Sequence, residues 1–458
     1  MKKSELALFI FRRDLRLTDN TALLAACKEY SLVLPCFIFD PRQIGGSNPY
    51  KSVNAIQFMV ESLQDLERQL ADKAGKLFLF YGAPDQVVMQ LLRSLPIEAV
   101  FINADYTPFS QERDGLLEAV CRDHKVKFSV FDDALLNPPF AITKSDKSYY
   151  SVFTPYWKSA SKVQVARPVQ LRKAHFFIGK IKQALGIAIY HKVCPVTNTN
   201  LYQSGGRANA LAILAVLAKF KDYTAHHDIA ALENTCLSAH LKFGTVSVRE
   251  VFHAVQQALG ENHPLLRQLY WRDFYTQIAF HAPFVFGHSY QKKYEKLWWS
   301  QDKSAFEKWC TGKTGFPLVD AGMRQLNQTG FMHNRVRMVV AAFLTKDLHI
   351  DWRWGERYFA QYLLDYDPAV NNGNWQWCAS TGCDHQPWFR IFNPWLQQKK
   401  FDSNCDYIKR WVTELQDIEP SIIHRWYDAK SPAIKGYPRP MLDHATESDL
   451  TKKIFRGQ

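Results

Sequence analysis

Residues 371–377, NNGNWQW, carry two tryptophans and three asparagines in seven positions. Trp is large and seldom fully buried, and every buried amide needs hydrogen-bond partners, so an ordinary core has little use for such a block. It follows a basic helical segment, GFMHNRVRM at 330–338, and the acidic residues Asp365 and Asp367. Amides and indoles at this density point to a planar organic ligand and to aromatic redox chemistry. Arg335 or Arg337 can pair with Asp365 beside that ligand, although a purely structural ion pair explains the same residues.

Three other strings add to this. NTCLS (234–238) has small hydroxyl and amide side chains ahead of a helical run, which is N-cap material whose free N–H groups can meet phosphate oxygens. In QLYWRDFY (268–275), Gln268, Trp271, Arg272 and Tyr275 fall at i, i+3, i+4 and i+7 and share one helix face. An amide, an indole, a guanidinium and a phenol make a poor core stripe but a good face for bases and phosphate. WFRIFNP (388–394) leads to QQKKFD, and rings interleaved with Arg390, Lys399 and Lys400 fit a loop facing a polyanion.

The elements that must carry these residues differ along the chain. Short apolar runs at 6–11, 32–39, 77–81, 99–102 and 128–131 read as strands buried on both faces. Between the second and third, Ser52 is the expected cap of a helix whose Ile56, Met59, Val60, Leu63 and Leu70 recur at helical spacing. Strand–helix alternation implies right-handed βαβ units and a doubly wound parallel sheet. The turn after the first strand, RRDLRLTDN, lacks the glycines of a dinucleotide-binding turn. Residues 133–204 are punctuated by prolines and read as a surface connector, with a short helix opening near 151–160. From 205 the pattern is helical, with candidates at 207–220, 247–259, 264–280, 303–311, 318–328, 332–346, 355–364 and 404–414. The expected organisation is an α/β N-terminal domain (1–132), a connector (133–204) and an all-α C-terminal domain (205–458).

Composition narrows the partners. Lys and Arg number 57 against 44 Asp and Glu, a net charge of +13, which suits nucleic acid or an anionic surface. Nine Cys with no C-x-x-C give neither a zinc pattern nor a disulfide framework, and reduced thiols in the cytoplasm are the simplest account. The apolar run near the N-terminus is cut by charges from Arg12 onward, too early for a signal peptide, and no apolar stretch is long enough for a membrane span. No metal site is expected.

The strings FRRDLRLTDN, WRDFY, GKTGFPLVDAGMRQLNQTGFMHNRVRM, DWRWGERYF, DYDPAVNNGNWQW and WFRIFNP, in this order and densest over 270–410, resemble the photolyase/cryptochrome family, most closely its class I cyclobutane pyrimidine dimer (CPD) photolyases. The resemblance implies an antenna-binding domain at 1–132 and a helical FAD- and DNA-binding domain at 205–458. It implies a U-shaped FAD whose phosphates are held by Tyr223 and by Thr235, Cys236, Leu237 and Ser238. Asn334, Arg337, Asp365, Asp367 and Asn371 would surround its ring system, with Asn371 at flavin N5 as a catalytic residue. A tryptophan relay would run from Trp375 through Trp352 to Trp299. Trp271 and Trp377 would flank a flipped-out dimer, with Met338 and Gln268 beside it and Arg272 and Arg390 on backbone phosphates. The implied activity is light-driven CPD repair in damaged single- or double-stranded DNA by electron transfer from photoexcited reduced FAD. A cytoplasmic monomer is the default.

Two departures from the class I pattern matter. Gln268 stands where those enzymes usually carry a glutamate, and glutamine there is common in (6-4) photolyases and animal cryptochromes. Asn334, Met338 and Trp377 favour the CPD subtype. Phe109 and Ser110 replace an Asn-Glu pair frequent in folate-binding relatives, so a second chromophore can be a folate, a deazaflavin or a flavin. The alternatives are a (6-4) photolyase and a blue-light-sensing cryptochrome without repair activity, although little chain follows the flavin region to serve as a signalling tail.

Overall fold

The computed structural model describes residues 4–385 and 387–457. Two compact units interleave along the chain. One comprises the residues up to Asn198, Gln203–Lys221 and Thr235–Pro283; the other comprises Thr199–Tyr202, Asp222–Asn234 and the chain from Phe284 onward. This division differs from boundaries at 132 and 204, because the helices Ser238–Phe243, Val248–Leu259 and Pro264–His281 belong to the unit of the sheet.

The first unit holds five parallel strands, β1 (Ser4–Phe11), β2 (Tyr30–Phe39), β3 (Phe78–Tyr81), β4 (Ala99–Asn103) and β5 (Lys127–Phe131), in the order β3-β2-β1-β4-β5. Each apolar run read from the sequence becomes one of them. Leu8 pairs with Leu34 on one side and Val100 on the other, and Leu6 to Phe11 are all buried, so both faces of the central strand are covered. β5 departs from the expectation: as an edge strand it leaves Val130 exposed. Ser52 does cap its helix, Val53–Ala71, accepting from the Ala55 N–H, and Ile56, Val60, Leu63 and Leu70 are buried. The connector returns to the sheet, with Phe176 bridged to Val33 and Leu185 to Leu79.

The second unit is helical. Its core gathers Trp309, Met323, Val340, Phe343, Trp352 and Trp375. The stretch 332–346 splits into helix Asn334–Ala342 and a π-helical turn, Phe343–Asp347. Among the described residues of this unit, three helices of eight or more residues have no counterpart among the sequence candidates: Pro368–Ala379, Pro394–Phe401 and His444–Arg456. The first contains NNGNWQW. Asp367 caps it, Pro368 occupies its first turn, and burial of Trp375 overrides the poor helix propensity of three Asn and Gly373. No helix among the described residues is long and apolar enough to cross a membrane.

Candidate functional site

In the helical unit, helix Pro368–Ala379 packs against both Asn334–Ala342 and Trp352–Tyr362. Helix Asn334–Ala342 supplies Asn334, Arg337 and Met338. The arginine question resolves by geometry: Arg337 Nη2 lies 3.0 Å from Asp365 Oδ2, while Arg335 pairs with Asp228 at 2.6 Å. Arg337 Nε also donates to the Met332 carbonyl at 2.7 Å, so the guanidinium is held at two points. Asn334 is exposed, and Met338 is half-buried beside the core. Asp367 accepts from the Ala369 and Val370 N–H groups, so this carboxylate also starts the helix that carries Asn371.

Asn371 is oriented by the neighbouring helix. Its Nδ2 donates to the Glu356 carbonyl at 3.1 Å, which leaves Oδ1 as an acceptor for an N–H outside the helix pair. Behind it lies a buried network that sequence reasoning missed. Asn372 Nδ2 donates to Glu356 Oε1 at 3.0 Å, and Gln376 Nε2 donates to Asn372 Oδ1 at 3.0 Å. Burial pushes the Glu356 carboxyl up to about 7, opposed by the Asn372 hydrogen bond. The available signal was spacing, since Asn372 and Gln376 are i and i+4 on one helix.

The three tryptophans differ in setting. Trp375 and Trp352 are buried, and neither indole N–H has an acceptor. Trp299 is half-buried. Gly355 makes the arrangement possible: a Cβ there would lie 2.1 Å from Trp375 Cη2, so only glycine lets that ring rest on helix Trp352–Tyr362. Trp309, also missed, has its ring centroid 6.2 Å from that of Trp375, and its Nε1 donates to the Val340 carbonyl. Trp377 is half-buried against the core, and Arg390 is exposed in the loop after Pro387. Tyr223 stacks on His227 at 4.9 Å.

The remaining expected residues belong to the sheet-bearing unit. Cys236 and Leu237 are buried, Thr235 is half-buried and Ser238 exposed. The capping expectation for 234–238 is corrected: Leu237 occupies the cap position of helix Ser238–Phe243, with no side-chain cap, because Cys236 at φ +50° turns the chain instead. On helix Pro264–His281, Gln268 is exposed, Trp271 and Arg272 are half-buried and Tyr275 is buried. Trp271 stacks face to face on Phe153, centroids 3.6 Å apart. Arg272 is anchored within its own unit, Nη1 and Nη2 donating to the backbone carbonyls of Ala134 and Leu241.

The donor set of the helical unit fits a flavin ring: neutral amides, a guanidinium tied to a carboxylate, and electron-rich indoles. Comparison with known proteins agrees. Residues 7–172 match the DNA photolyase family model, and residues 265–457 match that for the FAD binding domain of DNA photolyase. A deoxyribodipyrimidine photo-lyase of Vibrio cholerae is 38% identical, covering 97% of this chain and 98% of that protein. Among solved structures, an archaeal photolyase from Sulfolobus tokodaii with two FAD molecules is 42% identical with a TM-score of 0.90, covering 99% of this chain and 100% of the other. A class III photolyase from Agrobacterium tumefaciens is 31% identical with a TM-score of 0.92, covering 100% and 98%. The chain belongs to the DNA photolyase family.

Proposed function

We infer that the protein is a deoxyribodipyrimidine photo-lyase that uses light to split cyclobutane pyrimidine dimers in DNA. The observation that carries this reading is the pairing of Arg337 with Asp365 in the unit where Asn371 Oδ1 is left open as an acceptor. When bound, FAD supplies light absorption and the transferable electron. Tyr223 and the 235–238 segment are assigned to its phosphates. Asn334, Arg337, Asp365, Asp367 and Asn371 are assigned to its ring system. Asn371 presents a neutral acceptor to the N5 edge, which adds no negative charge beside a reduced ring, while Arg337 contributes a positive group.

Trp375, Trp352 and Trp299 are assigned to electron supply. An oxidised indole whose N–H has no acceptor cannot readily lose its proton, so the buried Trp375 and Trp352 pass a hole on rather than trap it. Trp375→Phe is expected to slow flavin photoreduction at least tenfold, about 1.4 kcal/mol of barrier, while chemically pre-reduced enzyme still repairs. Equal loss of both activities would remove Trp375 from electron supply.

Gln268, Trp271, Met338 and Trp377 are assigned to the lesion, and Arg272 and Arg390 to backbone phosphate. Gln268 offers N–H donors to the pyrimidine carbonyls in place of a carboxylic acid. The domain assignment is a chromophore-binding segment at 1–132, a connector at 133–204 and an FAD- and DNA-binding segment at 205–458. A second chromophore belongs to the first, and the two FAD molecules of the Sulfolobus relative favour a flavin there. A monomer acting in the cytoplasm on damaged single- or double-stranded DNA completes the reading, and the nine buried free cysteines suit a reducing compartment. The test is anaerobic repair of oligonucleotides carrying a CPD or a (6-4) photoproduct under near-ultraviolet light, with dark controls. Light-dependent loss of the CPD alone is expected. Loss of the (6-4) product alone would overturn the subtype, and no repair of either by flavin-loaded protein would overturn the enzyme assignment.

A further inference from the structure

Helix Pro264–His281 carries a second arginine, one residue before Gln268 and four before Trp271. Arg267 lies against two rings, its guanidinium carbon 5.2 Å from the Phe153 centroid and 4.8 Å from that of Trp157. Phe153 is also the ring on which Trp271 stacks, so one aromatic group positions both side chains. Arg267 Nε is buried without an acceptor, and no carboxylate or carbonyl among the described residues accepts from the guanidinium. No acidic residue occupies the first helical turn to balance it. Cation–π contact engages the flat face of a guanidinium and leaves its N–H edge to an anion, and a stacked arginine loses less side-chain freedom on binding one.

We propose that Arg267 is a further DNA-phosphate contact beside the lesion face formed by Gln268 and Trp271. This rests on the photo-lyase reading above. Stacking on Phe153 and Trp157 buries Nε and sets the side chain's direction, and a phosphate oxygen meets the terminal Nη groups, which no acceptor among the described residues engages. The contact is sequence-independent, as binding to a lesion in any flanking sequence requires.

The experiment measures binding of FAD-loaded protein to a CPD-containing duplex across a salt series, for the natural chain, Arg267→Gln and Arg267→Lys. Loss of one phosphate contact shrinks the slope of log K against log[salt] by about 0.9. Over a tenfold rise in salt the natural chain then loses about eightfold more affinity than Arg267→Gln, and Arg267→Lys keeps the natural slope. An unchanged slope in Arg267→Gln overturns the proposal, as does equal weakening in both variants with no change of slope, which marks a packing role. Failure of the natural chain itself to prefer the CPD duplex would instead overturn the photo-lyase reading.

Discussion

The turn after β1 and the helix carrying NNGNWQW are both dense in polar residues, and they satisfy them in different ways. In the turn, charge meets charge. Arg16 pairs with Asp133 at 2.5 Å, and Arg249 bridges Asp133 and Asp19 at 2.7 and 2.8 Å. Asp14 accepts from Asn103 and from the Arg12 N–H. Opposing guanidinium groups hold the Asp133 carboxyl well below the usual carboxylate range against the pull of burial. Around the tryptophan helix, Arg337–Asp365 is the charged pair among the expected ring contacts, and much of the rest is neutral or held open. Asn371 Oδ1 is left as an acceptor, the Trp352 and Trp375 N–H groups have none, and Glu356 is drawn toward its protonated form. Density of polar residues therefore does not separate fold from chemistry. Neutralisation of the charges does: around the turn Arg16 and Arg249 neutralise Asp19 and Asp133 and hold the chain, even though Arg16 Nε lacks an acceptor and burial raises Asp14, whereas the neutral groups left open around the tryptophan helix are available to a ligand or an electron.

The sharpest way to break this contrast is to open the closed network. Arg16→Met removes a fully buried partner of Asp133 and is expected to cost about 3–5 kcal/mol in urea unfolding. A loss under about 1 kcal/mol would mean that Arg249 alone holds the turn.

Next in size is Glu356. Its folded-state value lies above its ordinary value, so its contribution to stability is complete below about 4.5 and is lost as pH rises through about 7. Glu356→Gln removes that loss. The variant should gain on the order of 3 kcal/mol relative to the natural chain between pH 5 and pH 8. Parallel pH profiles for the two proteins would show that the carboxyl is already ionised and paired.

Trp377→Ala follows, with lesion binding weakened by about 1–3 kcal/mol, the scale of one base–aromatic stack. Unchanged affinity would take Trp377 out of the substrate pocket. Smallest is Arg335→Met. The Arg335–Asp228 pair is partly exposed, with side chains 16% and 26% accessible, and its removal should cost about 0–1 kcal/mol and leave flavin content intact. Arg337→Met, measured alongside, is expected to lose flavin, and an equal loss in Arg335→Met would erase the distinction between the two arginines.

By itself the sequence determined the strand count, the Ser52 cap, the parallel sheet and the family, because buried strands and amphipathic helices write their period into neighbouring residues. Particular strings, DYDPAVNNGNWQW above all, also marked the flavin region. Tertiary structure decided what depends on residues far apart in the chain. It chose Arg337 over Arg335 for Asp365, since both lie on one helix and only packing sets which faces the acid. It made a helix of 368–379 against local propensity by burying Trp375 on Gly355. It turned Arg272 inward and left Arg267 without an acceptor, a difference that follows from which carbonyls and rings surround each guanidinium.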